Sequence, residues 1–140
     1  MTNSTNTRTT MQRYLDALLS GDLPTIADSF AEDATWTIHG TLPLSGEYRG
    51  RSAIMKFLIS AGSLYSAGTQ RFELGDLVVE NDVAVLEWTV TGIGTATGSA
   101  YDNAYCGVFV IEYGRIAKVR EYFDTQHVAL TLYENATARE

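Results

Sequence analysis

The sequence is poor in most of the residues that announce a chemistry. A single cysteine, Cys106, excludes an internal disulfide, and nothing else implies an oxidising compartment. Only His39 and His127 are histidines, and no HxH, HxxxH or CxxC spacing occurs, so the sequence carries no signature of a metal site. Lysine and arginine number 10 against 17 acids, a formal charge of −7, and this lacks the basic footprint that a nucleic-acid backbone or an anionic membrane requires. The first ten residues, MTNSTNTRTT, are polar, without the apolar stretch of a signal peptide, and no apolar run reaches membrane-spanning length. The expected address is cytoplasmic, and the expected partner a small apolar organic molecule or another protein. No cofactor is called for.

What is present is an ordinary apolar share, 45%, and 140 residues, which suits one domain with a core of its own. Residues 1–8 read as a frayed start. Met11, Tyr14, Leu15, Leu18 and Leu19 then repeat at helical spacing up to Gly21. Asp22 is placed to cap a short second helix carrying Leu23, Ile26 and Phe30, with Pro24 in its first turn. Ala34 to His39 reads as a strand, Gly40 to Gly50 as a loop, and a third helix starts near Ser52 with Ile54, Phe57, Leu58 and Leu64 as its buried stripe.

Beyond Thr69 the period changes from helical to alternating. Arg71–Glu80 and Val83–Gly92 form one hairpin about Asn81-Asp82, and Ser99–Asp124 forms a second about Tyr113-Gly114. Gly92, Gly94 and Gly98 lack the Lys-Ser/Thr and the following helix of a phosphate loop and read as a bulged connection. The tail from 126 to 140 is weakly helical. Helices followed by long antiparallel strands give an α+β fold, about three N-terminal helices against a bent, mainly antiparallel sheet that forms a cone around a pocket.

Alternation puts Tyr101, Asn103, Tyr105, Gly107 and Phe109 on one face of the first strand of the second hairpin, and Val119, Glu121 and Phe123 on one face of its mate. Glu121 thus falls between apolar neighbours. Burial there raises a carboxyl pKa toward neutrality and makes it a candidate general base; the alternative is a surface Glu paired with Arg115, Lys118 or Arg120. Tyr14 and Tyr105 are candidate donors to an oxygen that gains charge, or core phenols. Asn103 either orients a ligand or ties two strands. His39, at a strand end, is a further catalytic candidate; His127, Asp102, Asp124 and Cys106 are weaker. Trp36, Ile38, Phe57, Trp88, Tyr101, Val119 and Phe123 complete the expected ligand-binding wall.

Three segments, MQRYLDALLSGDLPTIADSFAEDATW, GEYRGRSAI and YDNAY followed by VF and YGRIAKVREYFD, resemble the nuclear-transport-factor-2-like superfamily, in its SnoaL-like and ketosteroid-isomerase-like branch. The resemblance spans nearly the whole chain. It implies a cone-shaped fold with a deep apolar pocket, often a homodimer through the outer sheet face, and a small-molecule enzyme moving protons on a polyketide-, terpenoid- or steroid-like substrate as isomerase, cyclase or dehydratase. The same fold also serves non-catalytic binding and interaction modules. Tyr14 matches the phenol of ketosteroid isomerases, whereas their two aspartates fall at Ile38 and at Tyr105 or Cys106. Of the epoxide-hydrolase triad only Glu121 has a match, since the Arg-x-Asp pair falls on Trp88 and Val90.

Overall fold

A computed structural model describes residues 3–133. It contains α1 (Asn3–Ser20), α2 (Leu23–Asp28), β1 (Phe30–Ile38), β2 (Gly46–Arg49), α3 (Arg51–Gly62), β3 (Arg71–Glu80), β4 (Val83–Ile93), β5 (Ala100–Glu112), β6 (Arg115–Phe123) and α4 (Thr125–Thr131). The strands form one sheet in the order β2-β1-β6-β5-β4-β3. Every neighbouring pair is antiparallel except β1 and β6, which run parallel. This is an α+β fold of the nuclear-transport-factor-2-like kind, a curved open sheet with its helices on the concave side.

Local chemistry sets the element ends. Gly21, at φ +72°, supplies the left-handed residue that stops α1, and the Asp22 carboxylate accepts from the Thr25 backbone N–H at 3.2 Å to start α2. The β5–β6 turn places Tyr113 and Gly114 at φ +52° and +75°, the backbone of a tight hairpin turn that matches the right-handed twist of the strands.

Two expectations are corrected and a third is sharpened. Residues 3–8 are helical, because a long-range contact holds them: Thr7 donates to the Asn81 carbonyl at 2.6 Å, and Ser4 accepts from the Asn81 N–H at 2.8 Å. The stretch 40–50 is not all loop, because Gly46–Arg49 pairs with Thr35–Ile38, and β1 itself begins at Phe30. The tail starts as a true helix, α4, with the exposed Asp124 as its cap accepting from the His127 N–H at 3.1 Å; residues 134–140 lie outside the described residues.

The main core joins α1, α2 and α3 to the concave sheet face through Met11, Tyr14, Phe30, Trp36, Ile54, Phe109 and Val119. A smaller cluster under α4 gathers Tyr65, Val90, Tyr101, Val128 and Leu132. The space between them is the pocket. No described helix is long and apolar enough to cross a membrane.

Candidate functional site

A cavity of about 270 Å³ opens on the concave face. Its wall is almost wholly apolar, and exposed Leu23, Ile59 and Phe72, from α2, α3 and β3, stand at its rim. Among the described residues Glu121 is the one carboxylate that lines it, and no Lys, Arg or His does.

Glu121 is placed there by strand parity. It alternates with Val119 and Phe123 on β6, lies beside Ile38 of β1 on one side and beside Gly107 of β5 on the other, and is 8% exposed. Its Oε1 accepts from the Trp36 indole N–H at 3.1 Å. Among the described residues no cation reaches it: Arg115 bonds Asp28 at 3.1 Å instead, and Lys118 and Arg120 alternate onto the other face of β6. Burial therefore dominates and pushes its pKa up to about 7, with the indole bond pulling weakly the other way. At neutral pH such a carboxyl both takes and returns a proton.

Gly107 makes this possible. A Cβ at Gly107 would stand 2.8 Å from the Phe109 ring and 3.0 Å from Trp88, so only glycine lets both rings close over the strand beside the acid.

Tyr14 is buried on the same side, its ring edge-on to Phe30 at 5.5 Å and tilted against Phe109 at 5.9 Å. Burial, and secondly the nearby Glu121 charge, raise the phenol pKa, so it stays a donor at any ordinary pH. Its hydroxyl has no hydrogen-bond partner among the described residues, and no buried side-chain polar atom is orphaned, so it opens onto the cavity. Tyr105 lines the opposite part, stacked on Trp88 at 5.3 Å and tilted against Phe123 at 4.9 Å.

Of the other expected residues, Trp36, Ile38, Phe57, Trp88 and Phe123 line the cavity. Three lie behind the wall: Val119 in the core, Tyr101 with its hydroxyl against that of Tyr105, and Asn103, whose amide donates to the Tyr101 oxygen at 2.9 Å and to the Asp124 carbonyl at 3.0 Å. Asn103 thus ties two strands and orients a phenol rather than facing a ligand. His39 is corrected. Ile38 points into the cavity, so the next side chain points out, and the exposed His39 ring stacks on Tyr122 of the outer face at 5.2 Å. His127 accepts from the Asp102 N–H at 3.2 Å and stacks on Tyr101, also away from the cavity. Cys106 is half-buried on the outer face, between Glu87 and Tyr122.

The reading of the sequence missed Tyr65 and Gln70, both in the wall. Tyr65 follows α3 in a segment with no period, held by an isolated bridge to Gly94, so no pattern pointed to it. Leu15, Leu18, Leu58 and Leu64, read as helix stripes, also line the cavity. Among the described residues no group of three or more His, Cys, Asp or Glu is arranged to hold a metal ion.

The fold recurs in solved structures. Bal32a, from a soil-derived mobile gene cassette, is 27% identical, with 86% of this chain and 91% of that one covered at a TM-score of 0.78. TerC, co-crystallised with polyporic acid, is 16% identical over 91% and 98% of the two chains at a TM-score of 0.77. An epoxide hydrolase of the LEH-like type from M. tuberculosis is 22% identical over 89% and 86% at 0.67. The family profile described as SnoaL-like domain matches residues 11–119, most of the chain, and this places the protein in the SnoaL-like domain family.

Proposed function

We propose that the protein is a cofactor-independent enzyme that moves a proton on an apolar small molecule of polyketide, terpenoid or steroid type, as an isomerase, cyclase or dehydratase. The observation that carries this is Glu121, a lone acid in an apolar cavity with no counter-charge and a pKa of about 7. In its ionised form Glu121 removes a proton from a carbon next to a carbonyl, and in its protonated form it returns the proton elsewhere on the skeleton. Trp36 holds the carboxylate by one oxygen and leaves the other to react. Tyr14, unpartnered and kept protonated by burial, donates to the oxygen on which charge develops. The dry wall strengthens that hydrogen bond.

The test does not need the natural substrate. A panel of fused-ring ketones in D2O is followed by NMR for exchange of the C–H next to the carbonyl. The wild type should exchange at least one of them, with a rate that rises with pH through about 7 as Glu121 ionises. Glu121→Gln should cut that rate by roughly 10²–10⁴. An undiminished rate in Glu121→Gln ends the proposal, as does a panel that binds and never exchanges. The second outcome supports a carrier instead, the reading favoured by a wall so uniformly apolar.

A further inference from the structure

One polar group in the cavity has no part in that reaction. In the cluster beside α4, three phenols come together: Tyr65, Tyr101 and Tyr105. The Tyr101 and Tyr105 hydroxyls are in contact, and Tyr65 packs against Tyr101 beside them. Tyr65 and Tyr105 line the cavity, while Tyr101 stands behind them. The group is braced from outside. Asn103 donates one N–H to the Tyr101 oxygen and the other to the Asp124 carbonyl, and its own carbonyl accepts from the Asp124 N–H at 3.4 Å. The ring of Tyr65 stands edge-on to Tyr101 at 5.4 Å.

The hydrogen-bond inventory of this group is unbalanced. The phenols and the Asn103 N–H supply four donors in all, whereas three hydroxyl oxygens offer about six lone pairs, so acceptor positions are left over even when every proton stays inside the cluster. Tyr101 takes the amide proton and stands behind the wall, so the spare positions within reach of a ligand are those of Tyr65 and Tyr105, which line the cavity. An aromatic wall needs no such group; phenylalanine would fill the space without the desolvation cost of buried hydroxyls. The position is equally informative. Tyr105 stands two residues along β5 from Gly107, whose cross-strand neighbour is Glu121, so its backbone is offset from the acid's position by about 7 Å in the strand direction.

We propose that the Tyr65–Tyr101–Tyr105 cluster is a binding subsite for a ligand hydroxyl, and that the substrate class is an apolar ring skeleton bearing a phenol or alcohol remote from the carbon that Glu121 deprotonates. A hydroxyl suits the cluster because it donates into a spare lone pair and accepts in return when one phenol turns its proton outward. A bare hydrocarbon offers neither. The substrate part of this rests on the proton-transfer reading of Glu121; the subsite itself does not.

The test uses a matched pair of two-ring probes, naphthalene and 2-naphthol, with affinity measured by calorimetry below pH 7, where Glu121 keeps its proton. The wild type should bind 2-naphthol about tenfold more tightly than naphthalene, the worth of one good hydrogen bond. Tyr65→Phe and Tyr105→Phe should each reduce that preference to about threefold or less, and the double variant should abolish it while still binding naphthalene. Thermal melting confirms that each variant is folded, and the single variants decide the matter if the double one is not. A preference that survives loss of both hydroxyls overturns the proposal. So does a wild type that binds neither probe or treats them alike, or a preference that disappears in Glu121→Gln, which would put the naphthol oxygen on the acid. The two readings fail separately: absent C–H exchange with an intact naphthol preference removes the reaction and keeps the subsite, and the converse removes the subsite alone.

Discussion

The two ends of the cavity solve the problem of a buried polar group in opposite ways. At the α1 end, Tyr14 and Glu121 sit among Phe30, Trp36, Phe57 and Phe109, with one hydrogen bond between them and the described protein, that from the Trp36 indole. At the α4 end, the Tyr101 and Tyr105 hydroxyls are in contact and are anchored to strand-end backbone through Asn103, with Tyr65 packed edge-on beside them. The first end leaves its polar atoms unspent, and burial raises the pKa of Glu121 to about 7, so that it can exchange a proton near neutrality while Tyr14 stays protonated. The second end uses its polar atoms to hold a fixed shape. Reactivity and recognition are thereby placed on separate walls.

That contrast can be broken most severely by emptying the dry end. Phe30→Ala removes a fully buried ring that backs both Tyr14 and Trp36, and should lower the unfolding free energy by about 3–5 kcal/mol in denaturant titration. Next is the acid itself. Glu121 titrates near 4.5 when unfolded and near 7 when folded, so its favourable contribution is full below 4.5 and is lost as pH rises through 7. Glu121→Gln should therefore be more stable than wild type above pH 7, by roughly 3 kcal/mol at 1.36 kcal/mol per unit, and the gain should vanish at low pH. A gain that is the same at every pH would refute the buried-acid account.

Gly107→Ala, which drives a methyl against the Phe109 and Trp88 rings, should cost about 1–3 kcal/mol and narrow the gap between the two ends. Trp36→Phe removes the one donor to Glu121, so the midpoint of the pH–exchange profile should move upward while the α4 end keeps its naphthol preference. The smallest effect is expected at Asp124→Ala, which uncaps α4 beneath the phenols and should cost about 1 kcal/mol.

The dry end was legible in the sequence to a degree the other was not. Alternation along β5 and β6 put Glu121 on the same face as Val119 and Phe123, and the helical stripe of α1 brought Tyr14 inward. The same alternation, applied one residue past Ile38, sends His39 outward; the reading failed there by treating a strand end as a pocket mouth. Tyr65 carries no periodic signal, since only its bridge to Gly94 and the packing of α4 give it a place. Asn103 shared a face with Tyr101 and Tyr105 as expected, yet the α4 cap segment, which engages its amide, was not foreseen as structure. The helical start at Asn3 and the short β2 were hidden for a related reason, because both depend on partners distant in sequence.

The parallel seam of β1 against β6 has a bearing on how the molecule comes into being. Trp36 and Glu121 are 85 positions apart, and the strands that carry them belong to opposite halves of the chain. Trp36 gains its partner only when β6 pairs with β1, so the indole bond that holds the acid requires the late part of the chain. Loop closure over that span is slow relative to hairpin formation. Trp36 emission, read in a Trp88→Phe background because Trp88 lies within the β3–β4–β5 meander, should thus mark the closing of the β1–β6 seam after that meander has formed from its near neighbours.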